Sequence, residues 1–300
     1  MNPQALEIVS GRNLTDAVVH TSWGWEVAVY LFLGGMVAGL LVLRSALDLQ
    51  AGRTPRSLSL QLSPLIAVAL LSVGMGALFL DLGYKLHVYR FYLALRPSSP
   101  MSWGSWILLI AVPAALLQGL ASLPRERVPF PVPAMDAMLL ARVTLITGLA
   151  LGIYTGLLLG TLPAHPLWNS ALLGPLFLVS GVSTGAAFLM LARLAEEERA
   201  FIVRADVAAL CVEMSLLFLM ALGLAGGGEP GRQTLSLFLG GAWTGPFWAL
   251  VVVAGLAVPL LLEVVEARRH RPPLALTSVL VMAGGFALRW IVLAVGQQTL

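Results

Sequence analysis

Four polar residues stand beside long apolar runs of this sequence, and their side chains exchange protons or donate hydrogen bonds. His20 precedes the first apolar run, Asp81 and Lys85 border the second, and Tyr154 lies within the fourth. An imidazole or a carboxylate can accept a proton, whereas a phenol or an ammonium group can donate a hydrogen bond to a carbonyl oxygen. Together, these groups would suit a ligand that carries carbonyl oxygens and exchanges protons.

A second set of ionisable residues lies inside or at the ends of the apolar runs. Charge within a membrane is costly, so each of these residues is a candidate for function. Glu213 and Arg289 are deep in their runs, where we expect either a structural pair or a role in moving protons. Arg142 and Glu263 lie at run boundaries, where snorkelling or a structural salt bridge is the expected role.

The composition indicates an integral membrane protein. Hydrophobic residues make up 58% of the chain and charged residues 11%, and the mean hydropathy is +0.89. Such a chain has too little polar surface to cover a soluble globule of 300 residues. The net charge of +3 lies mostly in short segments between apolar runs. This distribution favours contact with membrane lipid and argues against nucleic-acid binding.

Cysteine and histidine usage predicts no metal site in this chain. Cys211 is the one cysteine, and a single thiol cannot hold an iron–sulfur cluster or a structural zinc. The four histidines fall in loops or at helix mouths, so we expect no haem, which needs axial ligands on facing helices. Any metal redox centre would belong to a partner. The first 25 residues lack the pattern of a cleavable signal peptide.

Runs of about 20 apolar residues can cross the hydrocarbon layer as helices. Eight runs qualify, and Pro, Gly and charge clusters separate them. They cover residues 26–47, 64–83, 103–121, 137–160, 170–192, 204–225, 244–262 and 275–296. The sequence therefore predicts an all-α integral membrane protein with eight transmembrane helices in one polytopic domain, residues 1–300.

A faint repeat relates the two halves of the sequence. Leu-Phe-Leu followed by Gly35-x-x-x-Gly39 in the first span matches Leu-Phe-Leu followed by Gly181-x-x-x-Gly185 in the fifth. This pattern predicts two four-helix bundles related by a pseudo-twofold axis along the membrane normal, although chance similarity is the alternative. The predicted parts are an N-terminal segment and two halves, residues 1–25, 26–160 and 161–300. In the fourth span, a glycine at every fourth position from Gly148 predicts close approach of a neighbouring helix.

The distribution of Lys and Arg predicts the orientation in the inner (cytoplasmic) membrane. Most of these residues flank the loops after the odd-numbered spans, so we expect that side to be cytoplasmic and both termini to be extracytoplasmic. The outer segment from Lys85 to Arg96 is nevertheless basic and aromatic. We interpret it as an interfacial helix or a docking surface.

The same topology gathers His20, Asp81, Lys85 and Tyr154 at the outer end of the bundle, which leads to a specific hypothesis. These side chains suit a quinone, which needs donors for its carbonyl oxygens and bases for its two protons. Apolar walls would hold its ring and tail. The alternative is an ordinary surface histidine before a first helix.

Five strings of the sequence resemble one family over most of its length. They are WGWEVAVYLFLGGMVAG, FLDLG, SPMSWGSWIL, GIYTGLLLGTLPAHPLWNSALLGPLFLVSG and LRWIVLAVGQ. They are similar to the NrfD/PsrC family, the membrane subunits of polysulfide-reductase-type complexes. The resemblance implies eight or more helices, no redox metal, and electron exchange between a membrane quinone and an extracytoplasmic four-cluster iron–sulfur subunit. A molybdopterin or other catalytic subunit often completes such a complex.

The resemblance also implies site residues. The quinone-contacting histidine of the family corresponds to His20, its tyrosine on the fourth helix to Tyr154, and the acid of FLDLG to Asp81. Trp23, in the first string, and Lys85 complete the expected quinone-binding set. Well-known members have an Asn three positions before the histidine, where this sequence has Ala17.

We therefore predict a quinone-binding membrane anchor that uses menaquinone or ubiquinone. Two other functions remain open. The first is an ion or proton transporter that uses Glu213, Arg289 and Arg142, for which Pro113 and Pro259 would interrupt matching helices. The second is a purely structural anchor.

Overall fold

The computed structural model of the protein describes residues 23–52, 54–81, 93, 100–124, 136–162, 164–268 and 275–299. All regular secondary structure in these residues is helical. Eight helices are long and apolar enough to cross a membrane, so the protein is a multi-pass all-α membrane protein as predicted. The helices are α1 (Trp25–Ala51), α2 (Leu58–Asp81), α3 (Pro100–Ser122), α4 (Ala137–Gly160), α5 (Leu173–Met190), α6 (Glu196–Gly226), the short α7 (Gly228–Phe238), α8 (Thr244–Pro246, Phe247–Ala257 and Val258–Arg268) and α9 (Ala275–Gln298).

The first and last described residues lie at the same end of the bundle, which we call the terminal end. The side-chain amide of Gln297 donates to the carbonyl oxygen of Trp23, and the indole of Trp243 donates to Gln298. At the opposite end, Arg44 of α1 donates to the carbonyl oxygen of Leu60 at the start of α2. We call that end the Arg44 end.

Helix α1 is central and packs against α2, α4, α5 and α9. Its contact with α5 is backbone to backbone. A Cβ atom added to Gly39 would overlap the carbonyl of Gly181, and one added to Gly185 would lie 2.8 Å from the carbonyl carbon of Gly39. The two Gly-x-x-x-Gly motifs of the sequence repeat thus meet each other at the centre of the molecule. The pseudo-twofold relation and the division into halves stay predictions.

The glycine face of α4 also lies in tight contact, as predicted. A Cβ atom on Gly148 would meet side chains of α1 at 3.2 Å, and one on Gly156 would lie 2.6 Å from Cα of Gly174. Helix α4 therefore packs closely on both α1 and α5.

Helix α8 departs from a regular α-helix. Its middle part, Phe247–Ala257, is a π-helix that ends just before Pro259. Pro259 lacks the N–H group that would donate to the carbonyl oxygen four residues earlier, and its ring crowds that carbonyl group. The preceding turns of the helix therefore widen. There α8 touches α9, since a Cβ on Gly255 would lie 2.6 Å from Cα of Gly284.

Two further features differ from the predicted spans. Helix α6 begins at Glu196, ahead of the predicted 204, because Glu196, Glu197 and Glu198 in its first turn favour the positive end of the helix dipole. The short helix α7 was not predicted. The Gly-Gly-Gly-Glu-Pro pattern of residues 226–230, where α6 ends and α7 begins, indicates a turn, and Gly228 has a positive φ of 73°.

Candidate functional site

Tyr154 lies inside the bundle, near the terminal end of α4. Its ring is buried and fills the space beside Gly104 of α3, where an added Cβ atom would overlap both ring and hydroxyl. No hydrogen bond joins the hydroxyl to any described residue. A buried tyrosine hydroxyl usually has a polar partner, and none of the described residues supplies one.

Asp81 is the last residue of α2 and is exposed. Its carboxylate is close enough to interact electrostatically with Glu26, in the first turn of α1. Neither carboxylate forms an ion pair within the described ranges. The terminal end of α1 and α2 therefore presents two acidic groups. Lys85, the expected partner of Asp81, and His20 both lie outside the described residues.

Trp23 lies on the side of α1 that faces α9. Its ring stacks on Trp168, with 5.4 Å between the ring centroids, and its carbonyl oxygen accepts a hydrogen bond from Gln297. Tyr154, in contrast, faces α3. A quinone-binding role for Trp23 stays a prediction.

The loop between α4 and α5 forms hydrogen bonds with α9 and with the residue that follows it. Nδ1 of His165 lies 2.9 Å from the carbonyl oxygen of Thr299, and the indole of Trp168 donates to the carbonyl oxygen of Val292 at 2.9 Å. The centroids of the His165 and Trp168 rings also lie 4.3 Å apart. His165 thus contributes to the structure of the terminal end.

Arg289 of α9 is fully buried where α1, α5 and α9 meet. Its guanidinium group donates to the carbonyl oxygens of Leu31, Phe177 and Gly285, and to the hydroxyl of Ser180. The group also lies over the ring of Phe177, 5.2 Å from the centroid. Gly35 leaves the space for it, because a Cβ there would overlap the guanidinium.

Glu213 of α6 is buried on the other side of Ser180. It lines the same narrow crevice as this serine and interacts electrostatically with Arg289. The structure therefore brings together two of the predicted proton-path candidates. Arg142 is not part of this group: it is exposed at the start of α4 and forms no ion pair with the described part of the protein.

Glu263, the fourth candidate, is buried near the Arg44 end of α8 and faces Asp206 of α6. Asp206 was missed by sequence reasoning because it falls at the edge of the predicted sixth span. The signal that could have found it is its spacing: Asp206 and Glu213 are seven residues apart, which places both on one face of a helix.

A buried ion pair at the Arg44 end was also missed. Arg44 pairs with Asp48 one turn later in α1, and the amide of Gln118 donates to Asp48 at 3.0 Å. Arg44 additionally donates to the hydroxyl of Ser122. These residues join α1, α2 and α3 through a charge-balanced contact.

Comparison with known proteins shows the family of this protein. The family model described as Polysulphide reductase, NrfD matches residues 13–300. A polysulfide reductase subunit of Wolinella succinogenes is 30% identical over 298 residues, covering 92% of this sequence and 94% of that protein. Protein NrfD of Escherichia coli is 29% identical, covering 92% and 95%, respectively. The NrfD homolog of Haemophilus influenzae is 33% identical over 52% of each sequence. The protein therefore belongs to the NrfD polysulphide reductase family.

Proposed function

We propose that this protein is the quinone-binding membrane subunit of a respiratory oxidoreductase. It exchanges electrons between a membrane quinone, either menaquinone or ubiquinone, and an iron–sulfur subunit on the extracytoplasmic face. The observation that supports this function best is the buried Tyr154, whose hydroxyl bonds to no described residue, in a member of this family.

The chemistry of the site fits a quinone. A quinone carbonyl oxygen accepts hydrogen bonds, and a phenol hydroxyl in an apolar wall supplies one. Oxidation of a quinol releases two protons with two electrons, so the site also needs a base. We assign the base to His20 and a supporting carboxylate to Asp81; Lys85 would pair with Asp81 and Trp23 would border the site.

Electrons must leave through another subunit in this proposal. One cysteine cannot hold an iron–sulfur cluster, so the proposed partner is a four-cluster iron–sulfur subunit, with a molybdopterin or other catalytic subunit beyond it. The polysulfide reductase relative from Wolinella succinogenes is, by its name, one part of a reductase with several polypeptides. The present protein supplies the quinone site and the attachment to the membrane.

The proposed docking face is the terminal end of the bundle, which we take to be extracytoplasmic. The excess of Arg in the loops at the Arg44 end supports this orientation. The basic and aromatic segment from Lys85 to Arg96, which lies outside the described residues, is the proposed contact with the partner.

Replacing Tyr154 with phenylalanine tests the proposal. The change removes one hydroxyl and keeps the ring against Gly104, so helix packing should persist. Quinone-linked turnover of the assembled complex should fall about tenfold or more, since a removed hydrogen bond to a reacting group costs about 1.5 to 3 kcal/mol. Activity with a soluble dye that bypasses the membrane should not change. Wild-type quinone kinetics in Tyr154→Phe would contradict the proposed site.

A further inference from the structure

Two carboxyl groups meet in the interior, between α6 and α8. Asp206 and Glu263 are both fully buried, and their carboxyl groups are close enough to interact electrostatically. The hydroxyl of Ser183, on α5, donates to Oδ1 of Asp206 at 2.6 Å. Neither oxygen of Glu263, nor Oδ2 of Asp206, receives a hydrogen bond from an N–H or O–H group of any described residue.

Among the side chains that the structure describes, no cation forms an ion pair with Asp206 or Glu263. Arg204, just before Asp206 on α6, is exposed, and its Nε donates back to the carbonyl oxygen of Ala200. Arg289 is committed to four acceptors. Two ionised carboxylates cannot remain in contact in a buried site without a counter-charge. A proton shared between Asp206 and Glu263 removes the repulsion between the two carboxylates and supplies a hydrogen-bond donor to their oxygens.

Near the Arg44 end, the first four helices also contain a buried acid, but its surroundings differ from those of the Asp206–Glu263 pair. There the buried carboxylate of Asp48 is neutralised by Arg44 and receives a hydrogen bond from Gln118. The first four helices thus pair a buried acid with a base at the Arg44 end, whereas Asp206 and Glu263 have no basic partner among the described side chains.

Polar groups continue from the acid pair toward the middle of the membrane. Glu213 lies two turns further along α6, a rise of about 10 Å. A narrow crevice, too small to hold a water molecule, lies where α5, α6, α8 and α9 meet. Ser183 and Glu213 line it, together with Ser180 and Thr184 of α5. Gly255, in the π-helical part of α8, lines it as well. Irregular backbone of this kind is frequent at functional sites in helices.

Polar groups also continue from the acid pair toward the Arg44 end. Glu266 is one turn beyond Glu263 on α8, is buried, and interacts electrostatically with it. Helix α8 ends at Arg268, shortly after this residue. The carboxyl groups of Glu266, Glu263, Asp206 and Glu213 therefore form a series from the helix end to the bundle interior.

We propose that Asp206 and Glu263 hold one exchangeable proton, and that this carboxyl pair belongs to a proton path between the Arg44 end and Glu213. A proton enters from water at the Arg44 end, passes Glu266, binds the pair and moves through the hydroxyl-lined crevice to Glu213. The path stops at Arg289, because a guanidinium group has no acceptor and does not lose its proton. The path is thus open to one side of the membrane only.

Infrared difference spectroscopy of the assembled complex tests the shared proton. The C=O stretch of a protonated carboxyl group should be present at neutral pH and should shift in deuterated buffer. Asp206→Asn and Glu263→Gln should each remove this band. Glu196→Gln, which changes an exposed acid at the start of the same α6 helix, should leave it intact.

Several results would overturn the proposal. One is the absence of a protonated carboxyl band from the wild-type complex, a measurement that requires no variant to fold. Another is a band that persists in both Asp206→Asn and Glu263→Gln. A band that responds to sodium but not to pH would indicate a cation site instead. These spectra need no quinone. They can therefore contradict the shared proton without contradicting the quinone function, and loss of the quinone function would leave the spectra unchanged.

A second measurement tests the path itself. Glu266 is the proposed entry, so in Glu266→Gln the carboxyl band should shift about tenfold or more slowly after transfer to deuterated buffer than in the wild type. Glu196→Gln should match the wild type. Equal exchange rates in Glu266→Gln and the wild type would overturn the path.

Discussion

Gly104 and Tyr154 occupy one shared space: the tyrosine ring fills the volume in which a side chain at residue 104 would begin. The position of the phenol therefore depends on a residue of a different helix. The two residues can be perturbed separately, which makes the proposed site testable without removing the hydroxyl.

Gly104→Ala should displace the Tyr154 ring. Misplacement of a substrate-positioning group by about 1 Å can cost 10²-fold in rate, so quinone-linked turnover of the assembled complex should fall roughly tenfold to a hundredfold. The control is Gly76→Ala on α2, where nothing lies within 4 Å of the added Cβ. If Gly104→Ala kept wild-type quinone kinetics, the site would not be beside Tyr154.

His20→Ala should lower quinone-linked turnover by about 10² to 10⁴-fold, the usual cost of removing a positioned acid–base group. Activity with the membrane-bypassing dye should be retained. His165→Ala is the control at the same end of the bundle, because this histidine contacts Thr299 and Trp168 and is not assigned to the quinone. If His20→Ala and His165→Ala had the same quinone kinetics, His20 would not be part of the proposed quinone site.

Arg289→Gln should destabilise the fold by about 3 to 5 kcal/mol, since it leaves a buried acid and several acceptors without a partner. Arg289→Lys should not rescue it, because one ammonium group cannot reach Leu31, Phe177 and Gly285 from a single position. Thermal unfolding of the purified complex measures the effect. Arg142→Gln, at an exposed site, should change stability by no more than about 0.5 kcal/mol; a similar loss in both would contradict the structural role of Arg289.

Gly39→Ala should weaken the contact between α1 and α5, because the added methyl group would overlap the backbone of Gly181. Overpacking of this kind costs about 1 to 3 kcal/mol. The yield of folded protein in mild detergent and its unfolding temperature measure the change. Gly223→Ala on α6, where nothing lies within 4 Å, is the control; a tolerated Gly39→Ala would argue against the observed helix spacing.

The proposed orientation can be measured with single cysteines in a Cys211→Ser background. Ala242 is exposed at the terminal end and Ala51 at the Arg44 end. An impermeant maleimide should label Ala242→Cys on intact cells and label Ala51→Cys only after the membrane is opened. The reverse pattern would invert the topology and with it the side on which the proton path opens.

The eight spans were predictable because the length and apolarity of a membrane helix are properties of local sequence. The position of Tyr154 near the end of the fourth span and the depth of Arg289 in the eighth span followed from the same pattern of apolar runs. The partners of Arg289 did not, because Leu31 and Phe177 contribute backbone carbonyls, which every residue has. Asp206 was missed for a related reason: its role depends on Glu263, which is distant in sequence and comes close only when α6 and α8 pack.

The burial of Arg289 also has a consequence for biogenesis. Helix α9 is synthesised after α1 and α5, and an arginine at its centre costs about 2.5 to 3.5 kcal/mol on insertion into lipid. Its acceptors on α1 and α5 are already in the membrane by then, with Gly35 leaving room for the guanidinium. We therefore expect α9 to enter the bilayer against the existing contact surface of α1 and α5, so that insertion of α9 and its packing against these helices take place together.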